Sequence, residues 1–374
     1  MLFKGEKNLK TSQQVYINGK FLSQRITGVQ RYAYELIKYW DKSMESGEMD
    51  ASRINITILT PKNARQDLSL KHIVLQQVGN FTGTLWEQIE LPFYSRKGSL
   101  VNLCNAAPVV RINQLVTIHD VSVFLDTNTY SKAFKLWYTF MLSIISRRVK
   151  KVITVSEFSL SELQKYCRVS TEKCKVIYHG KEHVYECDPD LAILDKHGIR
   201  AFNYVLAVSS LNPNKNFRLI AQAIQQLDEL DFDVVIAGGM QSKVFNHSDE
   251  YERHERIKYV GYVSDSELRA LYEKAGCFVY PSFYEGFGFP PLEAMTLGCP
   301  VIVSGTSSLP EVCRDAAVYI DPNRPEELAE GIKLLMGNSA AREMFIQKGF
   351  ENANRFSWDL CAKQTFSFLE EEVM

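Results

Sequence analysis

The chain alternates short β-branched runs with longer amphipathic stretches, and after a break it begins the alternation again. The first series is VYI at Val15, INITILT at Ile54, HIVL at His72, LVNLC at Leu100, LVTI at Leu115, KVITVS at Lys151 and KVIYH at Lys175. Strand-length runs separated by helix-length stretches specify a doubly wound α/β domain. A charged, structure-poor stretch, HVYECDPDLAILDKHGIR (183–200), closes that series. The second runs YVLAVS (204–209), FDVVIAG (232–238), IKYVGYV (257–263), CFVYPS (277–282), PVIVS (300–304) and AVYID (317–321). At 374 residues the chain is long enough for two separate cores. The expected organisation is therefore two α/β domains, 1–182 and 183–357. A last amphipathic helix, Ser357 to about Glu371 with Trp358, Cys361, Phe366 and Leu369 on one face, leaves 358–374 free to cross back onto the first domain.

The clearest single element is the first helix. Val29, Tyr32, Ala33, Leu36, Ile37 and Trp40 recur at helical spacing, and Thr27 with Gln30 forms a capping box, so the helix starts in the Thr27–Gly28 turn directly after the first strand. Eight scattered cysteines without a CxxC pair read as buried free thiols of a reducing compartment. The opening MLFKGEKNLKTSQQ has no apolar core or cleavage site, and no uncharged apolar run reaches bilayer-spanning length. The expectation is a cytoplasmic protein that does not cross a membrane as a helix.

Several familiar chemistries are missing. Gly286-Phe287-Gly288 is followed by Pro291 where a dinucleotide fingerprint needs its third glycine, and neither a Walker A loop nor HExxH occurs. D-x-D strings at Asp188–Asp190 and Asp231–Asp233 fall in a connecting stretch and before a strand, which reads as chance rather than as a metal–diphosphate site. The segment YPSFYEGFGFPPLEAMTLGCPVIVSGTSSLPEV (280–312) is richer. A strand ends at Tyr280, a loop carries Gly286 and Gly288, and Pro290–Pro291 open a helix expected to hold Glu293 in its first turn. Glycines that let the backbone approach, followed by a helix N-terminus, suit a phosphate-bearing ligand at a strand's carboxyl end. Glu285 and Glu293 suit hydroxyls of sugars, although Glu293 alone could serve only the helix dipole. In SSLNPNKNF (209–217), Lys215 opens a helix, where a cation opposes the dipole unless an anion lies there.

With these residues in view, EGFGFPPLE resembles the E-x7-E signature of glycosyltransferase family 4, retaining nucleotide-sugar transferases of GT-B fold. GVQRY (28–32), WEQIELP (86–92), IHD (118–120), VSEFSLSEL (155–163), VIYHG (176–180), SSLNPNKN (209–216) and GYVSDSELRALY (261–272) extend the likeness over nearly the whole chain. It implies two Rossmann-like domains facing across a cleft, the second binding the donor. It also implies Glu285 on the donor sugar, Glu293 on the ribose and Lys215 on the diphosphate. Amides of Gly286, Phe287, Gly288 and Phe289 would cradle sugar and phosphate, and Ser210 and Asn214 would belong to the phosphate loop. Tyr262–Val263 would receive the base, Gly28 would let the first domain approach the diphosphate, and His119 would stand near the transfer point. Many members have arginine where this chain has Ser210, so diphosphate binding leans on Lys215, backbone N–H groups and an arginine from elsewhere. The partners implied are a nucleotide sugar and a glycan acceptor, with no cofactor, metal or nucleic acid. The alternatives are a GT-B epimerase or phosphorylase, or a non-catalytic sugar-nucleotide-binding scaffold.

Charge separates the halves. Residues 1–190 carry 26 Lys/Arg against 18 Asp/Glu, and residues 191–374 carry 17 against 26. Within KAFKLWYTFMLSIISRRVKK (132–151), six cations flank aromatic residues with no acid between. This reads either as a basic aromatic helix at an anionic leaflet or as a core helix with solvated ends. A lipid-linked acceptor of surface polysaccharide, O-antigen or capsule, would place the enzyme peripherally on the membrane's inner face.

Overall fold

A computed structural model describes residues 13–50, 52–65, 68–125, 131–208, 212–227, 231–238 and 256–373. The first series forms seven strands: β1 (Gln13–Asn18), β2 (Ile54–Thr60), β3 (Val74–Gln77), β4 (Ser99–Asn102), β5 (Gln114–Thr117), β6 (Lys151–Thr154) and β7 (Cys174–Val176). All pair in parallel, in the order β3-β2-β1-β4-β5-β6-β7. The second series forms β8 (Tyr204–Val208), β9 (Asp233–Ala237), β10 (Ile257–Gly261), β11 (Cys277–Tyr280), β12 (Val301–Ser304) and β13 (Ala317–Ile320). Their order, β10-β9-β8-β11-β12-β13, repeats the first sheet's reversal. In each sheet the order turns back beside the first strand, between β1 and β4 and between β8 and β11. Crevices at such switch points open beyond the strands' carboxyl ends.

One strand begins later than its sequence suggests. The Asp41 carboxylate accepts the backbone N–H groups of Lys71, His72 and Ile73 at 2.8–2.9 Å, so the ladder starts only at Val74 rather than at His72. The first helix, Gly28–Glu45, starts at the expected turn, but a 3-10 turn, Gly19–Ser23, separates it from β1. Its apolar stripe is fully buried from Tyr32 to Trp40. The closing helix, Trp358–Val373, lies against it, with the Trp40 indole donating to the Ala362 carbonyl at 3.0 Å. Trp358, Cys361, Ala362 and Leu369 join the first sheet's core.

The two halves meet closely. Glu311 of the second accepts the N–H groups of Glu157 and Phe158 at 2.8 and 3.2 Å, a carboxylate on the N-terminus of the first half's Glu157–Cys167 helix. Ser156 and Ser159 donate to the Gly286 carbonyl at 2.6 and 3.0 Å. A Cβ on Gly286 would stand 2.2 Å from the His119 carbonyl oxygen, so only glycine allows this approach.

The basic helix, Lys132–Arg148, is part core and part surface. Met141, Leu142 and Ile145 are buried, whereas Leu136 and Phe140 toward its N-terminus are more than half exposed. Lys151, grouped with its cations from sequence, belongs to β6 instead. It is buried, bonds Glu371 at 3.0 Å and lies over the Phe368 ring, so it adds nothing to an exposed basic face.

Candidate active site

Both signature carboxylates come from the segment after β11, and each is held by named partners. The Glu285 N–H donates to Ser307 Oγ at 3.0 Å, and its carbonyl accepts from Ser308 at 2.9 Å. Its carboxylate takes a hydrogen bond from Lys215 Nζ at 2.6 Å, and the same ammonium reaches the Tyr280 hydroxyl at 2.7 Å. Burial disfavours the charge on Lys215, but Glu285 and Tyr280 outweigh it and hold the ammonium ionised above the ordinary lysine range. The lysine sits in a 3-10 turn, Pro213–Lys215, two residues before the Phe217–Ile224 helix. The anion that its position called for is present within the protein, as Glu285, and not only as a future ligand. Asn216, at φ 55°, locks this turn by donating to Pro281 and Pro322 carbonyls.

Glu293 lies in the second turn of the Phe289–Thr296 helix, not in the first as its sequence suggested, so the dipole is not what holds it. Gly288, at φ 108°, caps that helix. Glu293 is largely shielded, which raises a carboxyl's pKa, but hydrogen bonds from His183 at 2.9 Å and Tyr272 at 3.2 Å, with the field of Arg31, bring it below the usual carboxylate range.

Across the cleft, Gly28 faces the ring of Phe289, and a Cβ there would come within 3.1 Å of it. Arg31, one turn on, reaches both Asp265 oxygens from its single Nη2, at 2.6 and 2.5 Å. Arg25 stacks 3.9 Å above the exposed ring of Tyr262, just past β10. His119 lies two residues past β5. Its Nε2 is 2.9 Å from the Leu103 carbonyl, which can only accept, so Nε2 carries the proton. Burial depresses its pKa and keeps the imidazole neutral. Its ring stacks on His179 at 5.4 Å, and His179 stacks in turn on Phe289 at 4.3 Å.

These elements enclose a cavity of about 1000 Å³. Gly28, His119, Lys215, Tyr262, Val263, Glu285, Gly286, Phe287, Gly288, Phe289 and Glu293, all singled out from the sequence, line it together. Asn214 does not: its side chain is buried and its carbonyl is taken by Phe283, while Asn212 and Pro213 border the cavity in its place. Ser210 lies outside the described residues. Sequence reasoning missed Arg25, Arg31, His179, His183, Tyr272 and Tyr280 as lining residues. Arg31 and His179 stood inside GVQRY and VIYHG, but nothing in their spacing marked them. Among the described residues no three His, Cys, Asp or Glu side chains are grouped to hold a metal ion. Asp233 of one D-x-D string is instead buried beside Lys258 at 2.9 Å.

Residues 192–352 match the family model for glycosyl transferases group 1. O-antigen chain mannosyltransferase B of Escherichia coli is 34% identical over 266 residues, which are 68% of this chain and 69% of that one. The chain belongs to the group 1 glycosyl transferases. O-antigen chain mannosyltransferase RfbU of Salmonella typhimurium is 31% identical over 229 residues, 60% of this glycosyltransferase and 61% of its relative. Among solved structures, sucrose-phosphate synthase from Thermosynechococcus elongatus superposes with a TM-score of 0.74 at 17% identity, covering 96% of this chain and 98% of that one. WaaG, a glycosyltransferase involved in lipopolysaccharide biosynthesis, gives 0.70 at 15% identity, covering 95% and 99%. At such identities these likenesses speak for the fold, which is GT-B.

Proposed function

We propose that this glycosyltransferase moves a hexose, of mannose, rhamnose or glucose type, from a nucleotide sugar to a lipid-linked glycan, with retention and without metal. The observation that carries the reading is the shared cavity: Lys215, Glu285 and Glu293 face it from one domain, Gly28 and His119 from the other. In this reading Lys215 neutralises the departing diphosphate, aided by Arg31 and by backbone N–H groups at the Phe289–Thr296 helix start. Glu285 holds donor-sugar hydroxyls and Glu293 the ribose. Neutral His119 offers its ring near the transferred carbon. With no second nucleophile assigned, the acceptor attacks on the leaving-group side.

Mannose is the first sugar to test, because the relatives named above are mannosyltransferases. A lipid-linked acceptor is supported by the first domain's surface. Leu85, Ile89 and Phe93 are each more than half exposed at one-turn spacing, as are Leu136 and Phe140, and Arg96, Lys97, Lys132 and Lys150 are exposed in the same domain. Apolar side chains among cations suit an anionic leaflet. No helix among the described residues is long and apolar enough to cross a membrane. The test is thermal stabilisation by GDP-mannose, UDP-glucose and dTDP-rhamnose, followed by transfer from the stabilising donor to lipid-linked oligosaccharide. Transfer with inversion, or stabilisation by none of the three, defeats the reading.

A further inference from the structure

A chain of hydrogen bonds runs from the closing helix to the signature carboxylate. Trp358, wholly buried, donates its indole N–H to His183 Nδ1 at 3.1 Å, and His183 Nε2 lies 2.9 Å from Glu293 Oε1. An indole nitrogen only donates, so Nδ1 must accept, and the imidazole proton sits on Nε2, pointed at the carboxylate. The Tyr272 hydroxyl donates to the other oxygen, Oε2, at 3.2 Å. Both oxygens of Glu293 are thereby fixed, and Oε1 is fixed through Trp358.

The same tryptophan is anchored a second way. Its backbone N–H donates to Glu182 Oε2 at 2.9 Å, and a Cβ on Gly180 would fall 2.1 Å from that nitrogen. Residues 180–183, the exit from the first domain, are thus clamped by the first turn of a helix that packs on the first domain's own Gly28–Glu45 helix. The Trp358 ring also touches Tyr32, His179 and Phe289 at centroid distances of 5.9–6.1 Å, so it cannot turn without disturbing both sides of the cleft.

We propose that Trp358 and His183 are positioning residues that aim Glu293 at the nucleotide's ribose and so make donor affinity depend on the docking of the closing helix. The proposal rests on the assignment of Glu293 to the ribose. It separates orientation from mere support: a carboxylate freed to rotate loses its grip on the two ribose hydroxyls, while base and diphosphate contacts stay.

The experiment compares a ribonucleoside diphosphate, GDP or UDP according to which binds the wild type more tightly, with its 2′,3′-dideoxy form, by calorimetry on the full-length protein. Trp358→Phe removes the N–H and keeps a ring, and His183→Phe removes both imidazole bonds. Each should weaken the ribo form, by about threefold and about tenfold, and leave the dideoxy form unchanged. His183→Gln can both accept from the indole and donate to Glu293, and should recover most of the loss; it also keeps the test open if Trp358→Phe does not fold. Equal weakening of the ribo and dideoxy forms, or no recovery with glutamine, overturns the relay. If Glu293→Gln itself leaves the ribo preference intact, the ribose assignment falls first and takes the relay with it, and that result is distinct from the other two.

Discussion

Lys215→Ala should do two separable things. In the free protein it strips Glu285 of its cation, and both side chains are largely shielded, at 20% and 11% exposed. A fully buried pair broken this way costs about 3–5 kcal/mol, but this one opens onto a wet cleft, so about 1–3 kcal/mol of stability is the better expectation. In the complex the variant loses a charge-assisted contact to the diphosphate, about 1.5–3 kcal/mol, which weakens donor binding roughly 10- to 150-fold. Urea denaturation reads the first effect and calorimetric titration with the donor reads the second. Glu285→Ala in the same background separates them. Removing the orphaned carboxylate should return part of the stability, because no buried charge is left unpaired, yet donor affinity should stay low. Unchanged donor affinity in Lys215→Ala would refute the phosphate role. Affinity restored in the double variant would show that the lysine serves only to neutralise Glu285.

Activity should persist in excess EDTA; loss of turnover that Mn²⁺ restores would mean the D-x-D strings were dismissed wrongly. Gly286→Ala forces a methyl against the His119 carbonyl, and should lower the urea midpoint by the equivalent of about 1–3 kcal/mol and depress turnover with it; a wild-type midpoint would contradict the tight domain contact. Stability should fall as pH drops from 7 toward 5. Burial lowers the pKa values of His119 and His179, so the unfolded chain binds more protons there, and stability complete above the unfolded value near 6.5 is lost below it. His179→Phe should flatten that slope by up to about 1.4 kcal/mol per pH unit, read from melting curves. Binding to anionic vesicles at low salt should require Leu85, Ile89 and Phe93 as well as Lys132 and Lys150; sedimentation with neutral vesicles only, or with none, would remove the membrane from the proposal.

The fold was legible because it is written in periodicities. Every β-branched run named from the sequence became a strand, and the one misplaced start, at His72, was displaced by a side chain 31 positions away. That kind of competition between a carboxylate and a ladder leaves no local trace. The site was legible where residues lie within one segment, as Glu285 through Glu293 do. It was hidden where partners come from distant segments. Nothing near Glu293 announces that His183, 110 residues earlier, bonds it, or that Trp358 lies behind His183. The histidine at 183 looked like part of a charged connector, and the tryptophan like an ordinary apolar position of an amphipathic helix.

What those distant contacts share is a rule about the charges of the cleft. Two of its cations are already paired within the protein, Lys215 with Glu285 and Arg31 with Asp265. A phosphate alone would draw Lys215 away and leave the shielded Glu285 carboxylate without its partner, whereas the exposed Asp265 would turn to water. A nucleotide sugar brings both kinds of group. In the proposed reading its diphosphate replaces Glu285 around Lys215, and its hydroxyls donate to the carboxylate so released. The Lys215–Glu285 pair thus also favours that occupant in this reading, because a ligand carrying an anion and a set of hydroxyls exchanges with it without leaving the shielded carboxylate stranded.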